Sequence, residues 1–234
     1  MVIFGLSNVF SRLSPNIKAS VIITVILIIL AVIIGFKAKK QDPNKPSKGI
    51  LMLFEMLVEW INNMCKDTLG DRWKKYAPMI LTMAMFIFVS NVSGMFGFSN
   101  PTSNIAITVA LGCISAFMIH WTAIKTNGIK KYLKSYLDPS PVMLPINIVS
   151  EIVTPFSLGM RLFGNIISGG IIMLLIYKSL AIIQIAGVPL GAILSVFVAP
   201  LFHAIFDIFF GAIQTYVFIL LTLTFIAGKL PEEE

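Results

Sequence analysis

The sequence predicts an all-α integral membrane protein: five membrane-embedded helices, the last two long, plus one amphipathic helix lying in the interface. Three observations predict it. Apolar residues make up 57% of the 234 residues and charged residues only 12%, with a mean hydropathy of +0.89. A soluble domain carries about 25% charged residues to cover its surface, so lipid must face part of this one. Five stretches reach the length of about 20 mostly apolar residues that a membrane helix needs. The basic residues gather between those stretches rather than within them. Together these exclude a disordered tail, a small disulfide scaffold and an ordinary cytosolic enzyme. The net charge of +7 then points to membrane topology before nucleic acid, and no nucleic-acid partner is expected.

The first span is residues 17–36. It is too long and too uniformly apolar for a signal peptide, and no small-residue cleavage site closes it. Residues 37–49 are polar, with Pro and Gly, and form a loop. Residues 50–76 mix Leu, Met, Phe and Trp with eight charged residues, from Glu55 and Glu59 to Lys74 and Lys75. That pattern suits an interfacial helix; a solvated loop helix is the alternative. The second span is about 78–98 and the third about 104–124, joined by FSNPTSN, which fits a tight hairpin. The fourth is about 142–177 and the fifth about 188–228, both longer than a perpendicular crossing needs. Pro155 and Pro200 inside these runs bend or start helices. No internal repeat is evident, and the whole chain, 1–234, reads as one membrane domain.

Lys and Arg set the orientation. The 37–49 loop carries five lysines, and Lys125, Lys130, Lys131 and Lys134 follow the third span, while 98–104 carries none. This puts the N-terminus outside and the EEE tail in the cytoplasm, with Arg12 and Lys18 as outer exceptions. Cys65 and Cys113 lie far apart without CxxC spacing, so they predict two structural thiols, neither a metal site nor a disulfide. No cofactor is expected.

Three charged residues fall inside the last two spans: Glu151, Arg161 and Asp207. Arg or Asp at membrane depth costs at least about 2.5–3.5 kcal/mol, which makes each a functional candidate. On a helical wheel, Asn147, Thr154, Ser157, Asn165 and Ser168 fall within about 40° of Arg161, and Glu151 about 80° away. The stripe is about 30 Å long, the thickness of the hydrocarbon core. In the last span His203, Asp207, Gly211 and Gln214 share a face. Two striped helices suggest a hydrated ion path. The structural alternatives are hydrogen bonds across helices for Thr154, Ser157 and Ser168, a packed His203, an Arg161–Asp207 ion pair, and glycines that simply allow close helix approach.

At these residues the chain resembles a known family. SLGMRLFGNI (157–166) is similar to the signature of F-type ATP synthase subunit a. LPINIVSEI (144–152) and GAIQTYVFILLTLTF (211–225) resemble the same family in the same order, strongly over about 140–228, with SNVSGMFG (90–97) agreeing in plan. The resemblance implies a non-catalytic stator subunit of the bacterial plasma membrane, with subunit b and the subunit c ring as partners. Its last two helices would be steeply tilted along the ring. A 36-residue helix is about 54 Å long, so crossing ~30 Å needs a tilt near 55°; hairpins of half-helices are the alternative. Arg161 would face the buried carboxylate of subunit c. Asn165 and Gln214 would assist it, with Asn147 and Glu151 on an inner half-channel and His203 and Asp207 on an outer one. The ring, which binds the ion, would select H⁺ or Na⁺.

One departure stands out. Many relatives carry a carboxylate nine residues after the Arg, where this chain has Gly170. A polar or ionisable group seven residues before the Gln is common, and here it is Asp207. The outer acid is therefore expected to have moved to the facing helix. Two rivals are weaker. A secondary ion-coupled transporter would usually show internal repeats. An intramembrane hydrolase built on groups such as Ser93 and His120 lacks a GxSxG or HExxH run and leaves Arg161 without a role.

Overall fold

A computed structural model describes residues 14–41, 49–137, 140–182 and 190–230. Arg12, Lys45, Lys48, the first two residues of the expected fifth span (188–189) and the EEE tail lie outside these. Every regular element among the described residues is helical, and five stretches are long and apolar enough to cross a membrane.

Helix α1 (Pro15–Lys40) starts with proline in its first turn and ends with Lys37, Lys39 and Lys40, whose charges favour the C-terminal end of the helix dipole. It buries only Ala19 and Ile23, so its apolar surface is left for lipid or a partner. Helix α2 (Ile50–Leu69) buries Ile61, Cys65 and Leu69, one face at four-residue spacing. Gly70, at φ 57°, ends it. Within the amphipathic segment 50–76, of which only part was expected to be one helix, this helix covers Ile50–Leu69. A 3₁₀ turn (Gly70–Arg72) leads into α3 (Trp73–Val92), which starts five residues before the expected span at 78. Short 3₁₀ turns at Ser93–Phe96 and Pro101–Ser103 make the hairpin to α4 (Ile105–Ser135), capped by the Asn104 side chain on Ala106 N at 2.9 Å. α4 runs past the expected end at 124. Gly128, at φ 75°, breaks it where the basic segment begins.

Helix α5 (Leu144–Ile182) is one helix of 39 residues that passes through Pro155. It is not a hairpin of half-helices, and at about 58 Å it exceeds any perpendicular crossing. The last span is interrupted differently. Helix α6 (Leu190–His203) and helix α7 (Phe210–Ala227) are joined by a π-helical turn, Ala204–Phe209.

The core lies among α2, α3, α4, α7 and the middle of α5, around Ile61, Ile80, Ile87, Leu162, Phe218 and Leu223. α4 and α5 touch backbone to backbone. A Cβ at Gly112 would lie 2.1 Å from the Pro155 carbonyl oxygen, and one at Gly159 would lie 2.8 Å from the Thr108 oxygen. Small residues at such a crossing let dispersion and polar contacts replace the hydrophobic drive that lipid removes. Buried polar groups are tied across helices: Thr122 donates to the Tyr76 hydroxyl at 2.9 Å, and Asn91 Nδ2 donates to the Gly211 oxygen at 3.3 Å. Cys65 is buried, Cys113 is exposed, and both are free thiols.

Candidate functional site: an arginine between two polar clusters

The packing of α5 decides which way its stripe points. Leu158, Gly159 and Leu162 are buried, which turns Ser157, Arg161, Gly164 and Ser168 to the uncovered side. Arg161 makes no hydrogen bond or ion pair with any described residue. In particular it does not pair with Asp207. The hydroxyls near it do not reach across to other helices either. Thr154 donates to the Ser150 oxygen at 2.8 Å, and Ser168 shares the Gly164 and Asn165 oxygens of its own helix. Their back-bonding is a local way to satisfy a hydroxyl in an apolar setting. Asn165 is half-buried one turn beyond Arg161.

Gln214 stands on α7, which packs against α5. Its side-chain nitrogen is buried and has no hydrogen-bond partner among the described residues. An unsatisfied buried donor costs about 1–3 kcal/mol. No hydrogen bond joins Gln214 to Arg161 or Asn165.

Toward the Ile182 end of α5 lies one cluster. The π turn presents Asp207, whose Oδ2 is 2.8 Å from His203 Nδ1, and His203 Nε2 is 3.2 Å from the Tyr177 hydroxyl. An ionised carboxylate can only accept, so a pair in which Asp207 is charged has Nδ1–H as its donor, and Nε2 of a neutral ring is then the acceptor. π turns of this kind recur at functional sites. Gly170 is exposed, and a Cβ there would meet nothing within 4 Å.

Toward the Leu144 end lies a second cluster around an open cavity of about 500 Å³. Glu151 Oε1 accepts from Lys229 Nζ at 2.6 Å, and its Oε2 is 3.7 Å from His120 Nε2. His120 Nδ1 is 2.9 Å from the Tyr132 hydroxyl, which in turn contacts the Tyr136 hydroxyl. Asn147 donates to the Tyr136 carbonyl at 2.8 Å. Burial pushes the Tyr136 phenol well above its ordinary value, and the Tyr132 hydrogen bond and the Glu151 charge add to this, so it stays protonated at neutral pH.

The structure therefore brings Asn147 with Glu151 and His203 with Asp207, and leaves Arg161, Asn165 and Gln214 between them without mutual bonds. Sequence reasoning missed Tyr177, Lys229, Tyr132 and Tyr136 as members, and read His120 only as a hydrolase candidate. A signal for His120 was present: it is the one Asp, Glu, His, Lys or Arg in 104–124. Lys229 and Tyr177 stand at span ends, where Lys and Tyr are ordinary.

Comparison with known proteins agrees with the motifs. The family model described as ATP synthase A chain matches residues 19–227. ATP synthase subunit a of Streptococcus agalactiae serotype III (strain NEM316) is 33% identical over 234 residues, spanning 94% of this chain and 92% of that protein. The protein of that name from Aquifex aeolicus is 34% identical over 220 residues, spanning 92% and 97%. That from Oceanobacillus iheyensis is 33% identical over 243 residues, spanning 99% and 95%.

Proposed function

Because this chain belongs to the ATP synthase A chain family, a family of non-catalytic membrane-sector subunits, we propose that Arg161 and the two clusters flanking it are its ion-coupling machinery. In this reading the chain is the stator of an F-type ATP synthase, held by a subunit b stalk. It offers the open face of α5 and α7 to a ring of subunit c, whose carboxylates carry the ion. The Tyr177–His203–Asp207 cluster is the outer half-path and the Glu151 cavity the inner one. The N-terminus is outside and the C-terminus cytoplasmic, in the plasma membrane of a bacterium.

The observation that carries the proposal is a cation, Arg161, with no counter-charge among the described residues, on a face that those residues leave uncovered. A guanidinium at membrane depth is costly, and a carboxylate delivered by a partner offsets that cost. Glu151, Arg161 and Tyr177 stand at three levels of α5, about 15 Å and 24 Å apart along the axis. The half-paths are therefore offset from one another with Arg161 at the barrier.

The chemistry follows from the fixed charge. Arg161 does not deprotonate, so it cannot relay a proton. It favours the ionised ring carboxylate, worth on the order of 4 kcal/mol for a pair about 4 Å apart at an effective dielectric of 20. It thereby drives release toward the inner path and repels protons leaking straight through. On the outer side, His203 Nε2 takes an incoming proton while Asp207 orients the ring and balances its charge. Gln214 has an unpartnered amide NH₂ to offer a ring carboxylate or water at the same interface.

The test is Arg161→Ala in the assembled complex. Ion-driven ATP synthesis is expected to vanish while the subunit remains present in normal amount. Arg161→Lys is also expected to fail, because a compact titratable ammonium lacks the planar fork. Normal synthesis in either variant overturns the reading.

A further inference from the structure

We propose that Lys229 is a positioning residue of the inner half-path, which sets the direction of the Glu151 carboxylate; the inference rests on the inner-path reading above. Lys131 and Lys229 both line the cavity, and the carboxylate pairs with Lys229 at 2.6 Å. That pairing is built by the backbone. Lys229 follows the last turn of α7, its N–H donates to the Ile226 oxygen at 3.1 Å, and its own carbonyl accepts from Asn127 Nδ2 at 2.8 Å. Asn127 stands just before the Gly128 break in α4. The ammonium is therefore aimed from an anchored main chain rather than swinging on a free end.

The pair is partly shielded, at 31% and 23% side-chain exposure for Lys229 and Glu151, so it is screened less than a surface pair. Its geometry divides the two carboxylate oxygens. Oε1 is occupied by a short charge-assisted bond. Oε2 turns to His120 Nε2 at 3.7 Å, just beyond hydrogen-bond reach, and stays available to a passing proton. Without Lys229, Oε1 loses its charge-assisted bond, the carboxylate is free to turn, and the Oε2–His120 juxtaposition is lost. No motif of the resemblance includes Lys229; only the folded chain brings it to Glu151, 78 positions away in sequence.

The experiment compares ATP-driven proton pumping by the assembled complex in vesicles for Lys229→Met, Lys229→Arg, Glu151→Gln and the Lys229→Met/Glu151→Gln double variant. Subunit content is checked by immunoblot. Lys229→Met is expected to lower pumping roughly tenfold or more, as loss of a hydrogen bond to a charged group does when it is felt at the barrier. Lys229→Arg is expected to restore most of it, and the double variant to be no worse than Glu151→Gln. Pumping like the parent in Lys229→Met, failure of arginine to restore it, or additive losses in the double variant overturns the inference. If Glu151→Gln itself pumps like the parent, the inner-path reading falls with it. A defective Glu151→Gln beside an unaffected Lys229→Met sinks the role of Lys229 alone.

Discussion

Asp207 answers at the residue scale what the missing acid at Gly170 asks. Its carboxylate is held 2.8 Å from His203, and no other acid among the described residues lies within ion-pair distance of that histidine. Asp207→Asn removes the charge that supports a protonated ring, so proton flow through the assembled complex is expected to fall. Gly170 is exposed with open space where a side chain would begin. Adding Gly170→Glu to Asp207→Asn is expected to restore part of the flow. If Asp207→Asn conducts like the parent, the acid has not been relocated and water alone lines the outer path. Gln214 is a different case. It carries no charge, so Gln214→Ala is expected to slow turnover without stopping it. Complete loss of turnover in a well-assembled Gln214→Ala complex would rank it beside Arg161.

Elements place these groups through two local features. The first is the crossing of α4 and α5. Gly112 faces the Pro155 carbonyl so closely that even one methyl group meets backbone at 2.1 Å. Backbone cannot rotate out of the way as a side chain can, so Gly112→Ala is expected to destabilise by about 1–3 kcal/mol or more. An immunoblot of membranes is expected to show a reduced amount of the chain, whereas Gly164→Ala, with nothing within 4 Å, leaves the amount unchanged. Equal amounts of both would mean that the crossing is looser than this geometry. The second feature is the π turn. It shifts the register between His203 and Gly211, so a wheel drawn at 100° per residue through the last span misplaces everything beyond Asp207. Gly211 turns inward against Asn91 rather than lining the stripe with Asp207.

For the whole molecule, the two clusters stand at opposite ends of α5, the Glu151 cavity beside the basic segment of α4. The proposed topology follows from that segment. A cysteine at Lys130 is expected to react with an impermeant reagent only from the cytoplasmic side, and a cysteine at Ser99, in the lysine-free hairpin, only from outside. Reversal of the pattern would exchange the assignments of the two half-paths while leaving their geometry intact. The large exposed apolar surfaces on α1, α5 and α6 are of the kind that lipid or partner helices cover.

The helical membrane class, the five apolar stretches and the three charges at membrane depth were legible in the linear chain. They rest on composition, length and cost, which do not depend on what a residue touches. The Arg161 motif and its family were legible for the same reason, as local patterns of residue type. Pairing was not. A wheel placed Asn147 and Glu151 near Arg161 but could not say that Thr154 and Ser168 bond back to their own helix, or that Asp207 takes His203 instead of Arg161. Nor could it bring Lys229 to Glu151, or Tyr177 to His203, since these meet only when α7 folds back along α5 and α6 against its far end. Side-chain partners at membrane depth are chosen by distance in three dimensions, and the register of the π turn and the closeness of the glycine crossing fix those distances.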